Sequence, residues 1–329
     1  ENFDEYDLNY GDAMRLVAKD KSIIVFQKFK IGRVPLYNEI VKAANGESTL
    51  VVSDKLLNPI QYYSGDIGIG EHSGSIASDN NSIYFSTNVK GAIGRLSNAG
   101  INVLSVLYNV NSFSTTQLPQ RIGNYKVYGA FDQSLYKYVL ALEATDTEDA
   151  YTLVFDEKRN VFESFMSYHP EMMCNLETLF VSFKNGNLYT HDAATYNEFY
   201  GVEYPSSVSL VFNENSPIRK KYNAIGYQSF QNKKWAAPLI TTNTVNAQTG
   251  LGQESSLLKR DFVLEETVLT AGLLKDKNSR LNPVEGLNEG DYLGGNYIVV
   301  KLEMSAADAN DLVSLVQPYL TYQISNRNF

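Results

Sequence analysis

Asp20-Lys-Ser22-Ile-Ile24, Asn80-Asn-Ser82-Ile-Tyr84, Asp132-Gln-Ser134-Leu-Tyr136 and Asn185-Gly-Asn187-Leu-Tyr189 are four copies of one phrase. Its form is Asp or Asn, any residue, Ser or Asn, Ile or Leu, then Tyr or Ile. The last three copies are 52 and 53 residues apart, and the first lies 60 upstream of the second. Each is a polar turn running straight into an apolar or aromatic strand start. A recurrence of this length marks a repeated supersecondary unit, and the blades of a β-propeller are the leading architecture for it. Such units bury their apolar faces only against each other, so they make platforms for binding and assembly, with a reaction centre optional.

Working outward, the third copy is the clearest. Leu135 to Leu142 reads as a strand, Asp146 to Asp149 as an acidic turn, and Tyr151 to Phe155 alternates with Tyr151, Leu153 and Phe155 on one face. The charged turn 156–160 leads to Val161 to Ser167. The fourth copy contains the strongest hairpin signal, Asn185-Gly186, because both residues tolerate positive φ. The second reads as a strand Ser82–Ser86, a turn 87–91 and a return strand Ala92–Leu96. Around the first copy, Ile23 to Phe26 and 49–53 read as strands. Residues 1–19, with Glu1, Asp4, Glu5 and Asp7 together, read as an arm or linker.

After Asn213 the rhythm changes. Pro217, Pro238, the polar stretch 241–256 and Pro283 interrupt it. Arg260 to Ala271 reads as a strand, 275–290 as loop, and Tyr297 to Met304 as an alternating strand. Ser305-Ala-Ala-Asp308 caps a short helix with Leu312, Leu315 and Val316 on its apolar side, and Pro318 ends it before a last strand, Tyr319–Ile324. The chain is therefore mainly β: a propeller-like repeat domain of antiparallel blades over 20–212, followed by a smaller mixed α+β domain over 213–329.

Bulk properties narrow the function. Of 329 residues, 28 are basic and 37 acidic, for a net charge of -9. That excludes a clamp on nucleic-acid phosphates, which depends on clustered Lys and Arg. The single cysteine, Cys174, has no internal partner for a disulfide, which fits folding in a reducing cytoplasm. No apolar run reaches the ~18–20 residues of a membrane helix. The 23 Tyr and 16 Phe against one Trp, Trp235, suit half-buried pleated surfaces and protein interfaces.

Chemistry is sparse. His72, His169 and His191 have no metal-ligand spacing to one another or to Cys174. There is no nucleophile elbow, phosphate loop or His-Glu-x-x-His. The glycines from Gly65 to Gly70 do not have dinucleotide-fingerprint spacing. Asp276-Lys-Asn278-Ser-Arg-Leu-Asn282 hints at a calcium loop but places Arg at a ligand position and lacks the closing Glu, so it reads as a solvated turn. Glu148-Asp149 and Glu265-Glu266 are adjacent pairs whose side chains point to opposite faces of a strand. No catalytic residue, cofactor or metal is assigned.

Tyr151-Thr-Leu-Val-Phe-Asp-Glu-Lys-Arg-Asn-Val-Phe-Glu-Ser-Phe165 with Tyr168, then Phe183-Lys-Asn-Gly-Asn-Leu-Tyr-Thr-His191 and Phe199-Tyr-Gly201, resemble the propeller portion of tail nozzle proteins of short-tailed phages. Within these the chain is most similar to the large muzzle, or stabilisation, proteins of crAss-like gut phages. The likeness is strongest over 130–225, looser over 75–100 and weak before 70, and Ser325-Asn-Arg-Asn-Phe329 resembles the family's tail end. It implies a non-enzymatic virion subunit assembled in the bacterial host cytoplasm. There, copies of the chain, six by family expectation, form a distal ring with other tail proteins such as adaptors and fibres. DNA passes through the lumen without specific binding, and the ring serves genome retention and ejection. Family members are much longer, so a chain starting at Glu1 reads as a C-terminal cleavage product or one part of a longer subunit. A carbohydrate- or receptor-binding propeller stands as the alternative.

Overall fold

The computed structural model describes residues 6–36, 39–42, 48–51, 58–176, 179–191, 195–246, 249–306 and 314–325. The chain forms two compact units, Glu1–Asp192 and Ala193–Phe329.

Among the described residues, the first unit holds a succession of antiparallel sheets whose strands follow chain order. The first sheet is Ala13–Lys19, Ser22–Gln27, Ile31–Pro35 and Gln61–Tyr62. The second is Ala77–Ser78, Ile83–Thr87, Ala92–Ser97 and Gly100–Val103; the third is Val127–Asp132, Lys137–Leu142, Tyr151–Asp156 and Val161–Met166. The fourth has three strands, Met172–Leu176, Leu179–Lys184 and Asn187–Thr190. A separate hairpin pairs Glu39–Lys42 with Ser48–Val51. The architecture is mainly β with repeated antiparallel sheets. Among the described residues each sheet is open, and none closes on itself.

Each sheet packs face to face on the next. Ile24, Phe26 and Ile31 of the first meet Ile83, Phe85 and Leu96 of the second. Tyr84 and Ile93 of the second meet Phe131, Tyr138, Leu140 and Phe155 of the third. Ala130, Val139, Ala141 and Val154 of the third meet Met173 and Phe180 of the fourth. The central strands of the third sheet are consequently buried on both faces and read as continuous apolar runs, Tyr-Val-Leu-Ala-Leu and Thr-Leu-Val-Phe. Burying a Val, Leu or Phe side chain of these runs fully contributes roughly 1.5–3 kcal/mol.

Several expectations change. Residues 13–19 are a strand of the first sheet paired to Ser22–Gln27, not part of an arm. The third repeat gains a leading strand, Val127–Asp132. Its second strand begins at Lys137 because Tyr136 still lies in the turn with φ 63°. Between the second and third sheets runs a helical insertion, Leu104–Leu107, Asn111–Gln117 and Leu118–Gln120.

The second unit is two antiparallel sheets over one core. One sheet orders Ser206–Phe212, Ile298–Met304, Ala236–Val245 and Gly252–Leu257. The other contains Val263–Glu265, Val268–Gly272, Lys220–Gln228 and Gly294–Gly295, with Val316–Ile324 also paired to Lys220–Gln228. Tyr227, Trp235, Ile240, Phe262, Ile298 and Val300 fill the space between. Ser206–Phe212, read from sequence as the end of the repeats, pairs over its whole length with Ile298–Met304 and lies in this unit. The stretch 241–256 is a hairpin arm rather than a break. Pro238 sits inside a strand because the register slips by one residue on both sides of it, and a bulge tolerates a missing N–H. Pro318 falls within the edge strand Val316–Ile324 instead of ending a helix. The helix expected before it lies largely outside the described residues. Arg260–Ala271 is a hairpin turning at Glu266, φ 56°. The expected loop 275–290 contains the helix Pro283–Glu289, capped by the Asn282 side chain.

Candidate assembly surfaces

All four copies of the phrase sit at hairpin turns, but not at equivalent points. Asp20, φ 52°, turns the first sheet's first strand into its second, and Ser22 opens the second. Asn80 lies in the corresponding turn of the second sheet, where Asp79 accepts from the amides of Asn81 and Ser82. In the third, Asp132 accepts from the amides of Ser134 (2.9 Å) and Leu135 (3.1 Å) and from the Ser134 hydroxyl (2.7 Å). The fourth copy, Asn185-Gly186-Asn187, joins the second and third strands of a three-stranded sheet, with φ 51° and 75° at the two turn residues. Ile24 and Tyr84 are buried and face the following sheet. Tyr136 packs edge-on to Phe131, toward the preceding sheet. Tyr189 pairs with Ser182 and Met173, so it shares the face turned to the third sheet.

The junction of the second and third sheets is the most elaborate. The Tyr84 ring is stacked on Phe131 (5.2 Å, 15°) and on Tyr138 (5.1 Å, 20°). Each such pair contributes ~0.5–1.5 kcal/mol beyond area burial. The Tyr138 hydroxyl donates to the Ser75 carbonyl at 2.7 Å, and its burial pushes its pKa well up. Arg95 pairs with Glu157 across the same junction. Below it lies a polar knot. Buried Arg121 donates to the carbonyls of Gln117 (2.7 Å), Glu143 (3.2 Å) and Asp149 (2.7 Å) and to Gln117 Oε1 (2.6 Å). His72 joins it, with Nε2 2.8 Å from the Arg121 carbonyl and Nδ1 3.1 Å from Ser86 Oγ. Burial lowers the His72 pKa to about 4, so the ring is neutral and serves as a bridge between elements.

The remaining chemistry-bearing residues are dispersed. His191 Nε2 lies 2.8 Å from Ser182 Oγ, and its ring packs on Tyr168 and Phe180. His169 approaches Thr152 Oγ1 at 3.4 Å. Glu148 accepts from Gln117, whereas Glu265 and Glu266 lie in the exposed stretch 263–267. Asp276 is not a solvated turn. It is fully buried, accepting from the amides of Glu254 (2.9 Å) and Asn278 (3.0 Å), and so it pins the segment. Among the described residues no group of three or more His, Cys, Asp or Glu side chains is placed to hold a metal ion.

Two clefts and one sheet face stand out. A polar cleft of about 270 Å³ in the first unit is lined by Lys19, Asp20, Ile24, Arg33, Tyr63 and Asn98. A cleft of about 320 Å³ in the second unit is lined by aromatic rings and Lys220. The outer face of the fourth sheet carries Met172, Leu176, Leu179 and Leu188, each about half exposed. Sequence reasoning missed this face, Arg121 and the bridging role of His72. The alternation of Met172, Cys174 and Leu176 opposite Met173 and Asn175 was the available signal for the face.

A family model described as Crassvirus muzzle protein matches residues 2–186, and one described as Crassvirus muzzle protein C-terminal domain matches residues 194–278. The muzzle protein of Bacteroides phage crAss001 is 25% identical over 248 residues, which are 73% of this chain and 17% of that protein. The chain thus spans about a sixth of the length of this curated relative. It belongs to the crAss-like phage muzzle protein family.

Proposed function

We propose that this chain is a non-enzymatic structural protein of a phage virion, contributing to the muzzle at the distal end of the tail. The observation that carries this reading is the family match running through both compact units. The architecture supports it, since the first unit's buried surface is devoted to sheet-on-sheet contacts. In this reading the sheets are propeller blades, and copies of the subunit, six in the ring, surround the path of the DNA. A net charge of -9 keeps such a passage from gripping phosphates. The ring holds the genome until ejection and contacts other tail proteins. Mass spectrometry of purified virions tests the reading: peptides of this chain at a fixed copy number per particle are expected. A chain absent from particles and monomeric when isolated overturns it.

One observation favours a second reading, a carbohydrate- or receptor-binding module. The polar cleft at Lys19, Arg33, Tyr63 and Asn98 has the mixed cation, aromatic and amide lining that sugars and acidic groups use. A flat glycan array removes it.

A further inference from the structure

The first two sheet junctions of the first unit carry an arginine at the same place. Arg33 pairs with Ile24 and Arg95 with Tyr84, so each lies opposite the fifth residue of the phrase, on the third strand of its sheet. Each shares a sheet face with the residue two positions before it, Ile31 or Ile93, which packs toward the following sheet. At the second junction Arg95 is answered by Glu157, the first residue after the following sheet's third strand. At the first junction that position belongs to Asn98, the first residue after Ala92–Ser97. Among the described residues no carboxylate forms an ion pair with Arg33. A cleft of about 270 Å³ lies there instead, lined by Arg33, Asn98, Lys19, Asp20 and Tyr63 above buried Ile24.

We propose that this cleft binds an acidic sugar ring, whose carboxylate meets Arg33 as Glu157 meets Arg95. The cations are already positioned. Arg33 Nε donates to Ser22 Oγ at 2.7 Å, which steadies the guanidinium and leaves its terminal N–H groups for a ligand. Lys19 Nζ donates to the Asn81 carbonyl at 2.5 Å and keeps further donors. Two cations against one carboxylate make the cleft positive, in a chain whose net charge is -9. Asp20 disfavours a dianion such as phosphate and can accept from a sugar hydroxyl. The Ser97 hydroxyl and the Asn98 amide add further partners for hydroxyls, and the Tyr63 ring offers an apolar wall. The volume falls just below the ~300–1,000 Å³ of ordinary ligand pockets, which suits one ring rather than a chain of several. The inference deepens the second reading above and rests on it, not on the virion reading.

Calorimetric titration of the isolated chain tests it, with methyl glucuronide and N-acetylneuraminic acid as probes and methyl glucoside, acetate and hexaglutamate as controls. Saturable binding of at least one acidic sugar, matched by none of the controls, is the expected result. Arg33→Gln is expected to weaken it about tenfold or more, as for the loss of hydrogen bonds to a charged group. Asn98→Glu supplies from within the acid that the neighbouring junction has, and is expected to abolish binding without lowering Tm. Both positions are exposed, so the variants should fold. Acetate binding as tight as the sugars reduces the cleft to an adventitious anion site, and tighter binding of hexaglutamate assigns it to acidic peptides; either overturns the proposal. Sugar binding that survives either substitution, or that the neutral glucoside matches, refutes this site while leaving the binding-module reading intact. Silence with both acidic sugars refutes the site, and a flat glycan array beside it removes the binding-module reading as well.

Discussion

His72 illustrates how a single side chain couples elements. It is buried, bonded to Ser86 and to the Arg121 backbone, and neutral, with a pKa near 4 against about 6.5 when unfolded. Above pH 6.5 neither state carries the proton. As pH falls from 6.5 toward 4, the unfolded chain takes up a proton that the folded chain refuses, so stability declines. The full effect is ~3 kcal/mol, at about 1.4 kcal/mol per unit of pKa difference. Comparing His72→Gln with the parent by urea denaturation isolates it from the carboxylates. The variant is expected to be less stable by ~1–3 kcal/mol at pH 7.5, with the gap closing as pH approaches 4.5. A gap that does not change with pH rules the account out. Nothing in the sequence around Gly70-Glu-His-Ser distinguishes such a bridge from a surface histidine, because its partners lie 14 and 49 residues away.

At the scale of elements, the junction of the second and third sheets depends on Gly129. A Cβ there would lie 2.0 Å from the Ser75 carbonyl oxygen, and backbone cannot swing aside as a side chain can. Gly129→Ala is expected to lower unfolding free energy by ~1–3 kcal/mol, the usual range for overpacking. Gly272→Ala, which meets nothing within 4 Å, should change it little. Equal effects in urea melts would discount the close approach. The elements themselves were unevenly legible. Hairpin turns announced themselves through Asp, Asn and Gly, whose left-handed conformations the structure shows at Asp20, Asn185 and Gly186. Val127–Asp132 was hidden because Gly129 and Ala130 dilute its strand signal, although the fold requires small residues there. The helices at 104–117 carry no side-chain cap at their first turns, so no start signal marks them in the sequence. The outer face of the fourth sheet was legible as alternation, but the half exposure of Met172, Leu176, Leu179 and Leu188 was not.

For the whole molecule, separate cores in Glu1–Asp192 and Ala193–Phe329 have a measurable result. Trp235, the sole tryptophan, is buried in the second unit's core, so fluorescence excited at 295 nm reports that unit alone. Two non-coincident denaturation transitions are expected, with Gly129→Ala shifting only the one seen by circular dichroism and not by Trp235. A common shift in both signals would show the chain unfolding as one cooperative body.

The phrase's wandering position bears on how such modules evolve. Its fifth residue faces forward in the first two sheets and backward in the last two. In a β-layer with water on one side, an odd-length insertion would turn the greasy surface outward and be eliminated. The central strands of the third sheet have no wet side, so inserting one residue there merely exchanges one dry neighbour for another. Interior layers can therefore drift in loop length by any number, whereas an outermost layer is confined to even steps. Duplicated copies should diverge fastest in spacing where they are most deeply enclosed, the reverse of the conservatism expected of a core.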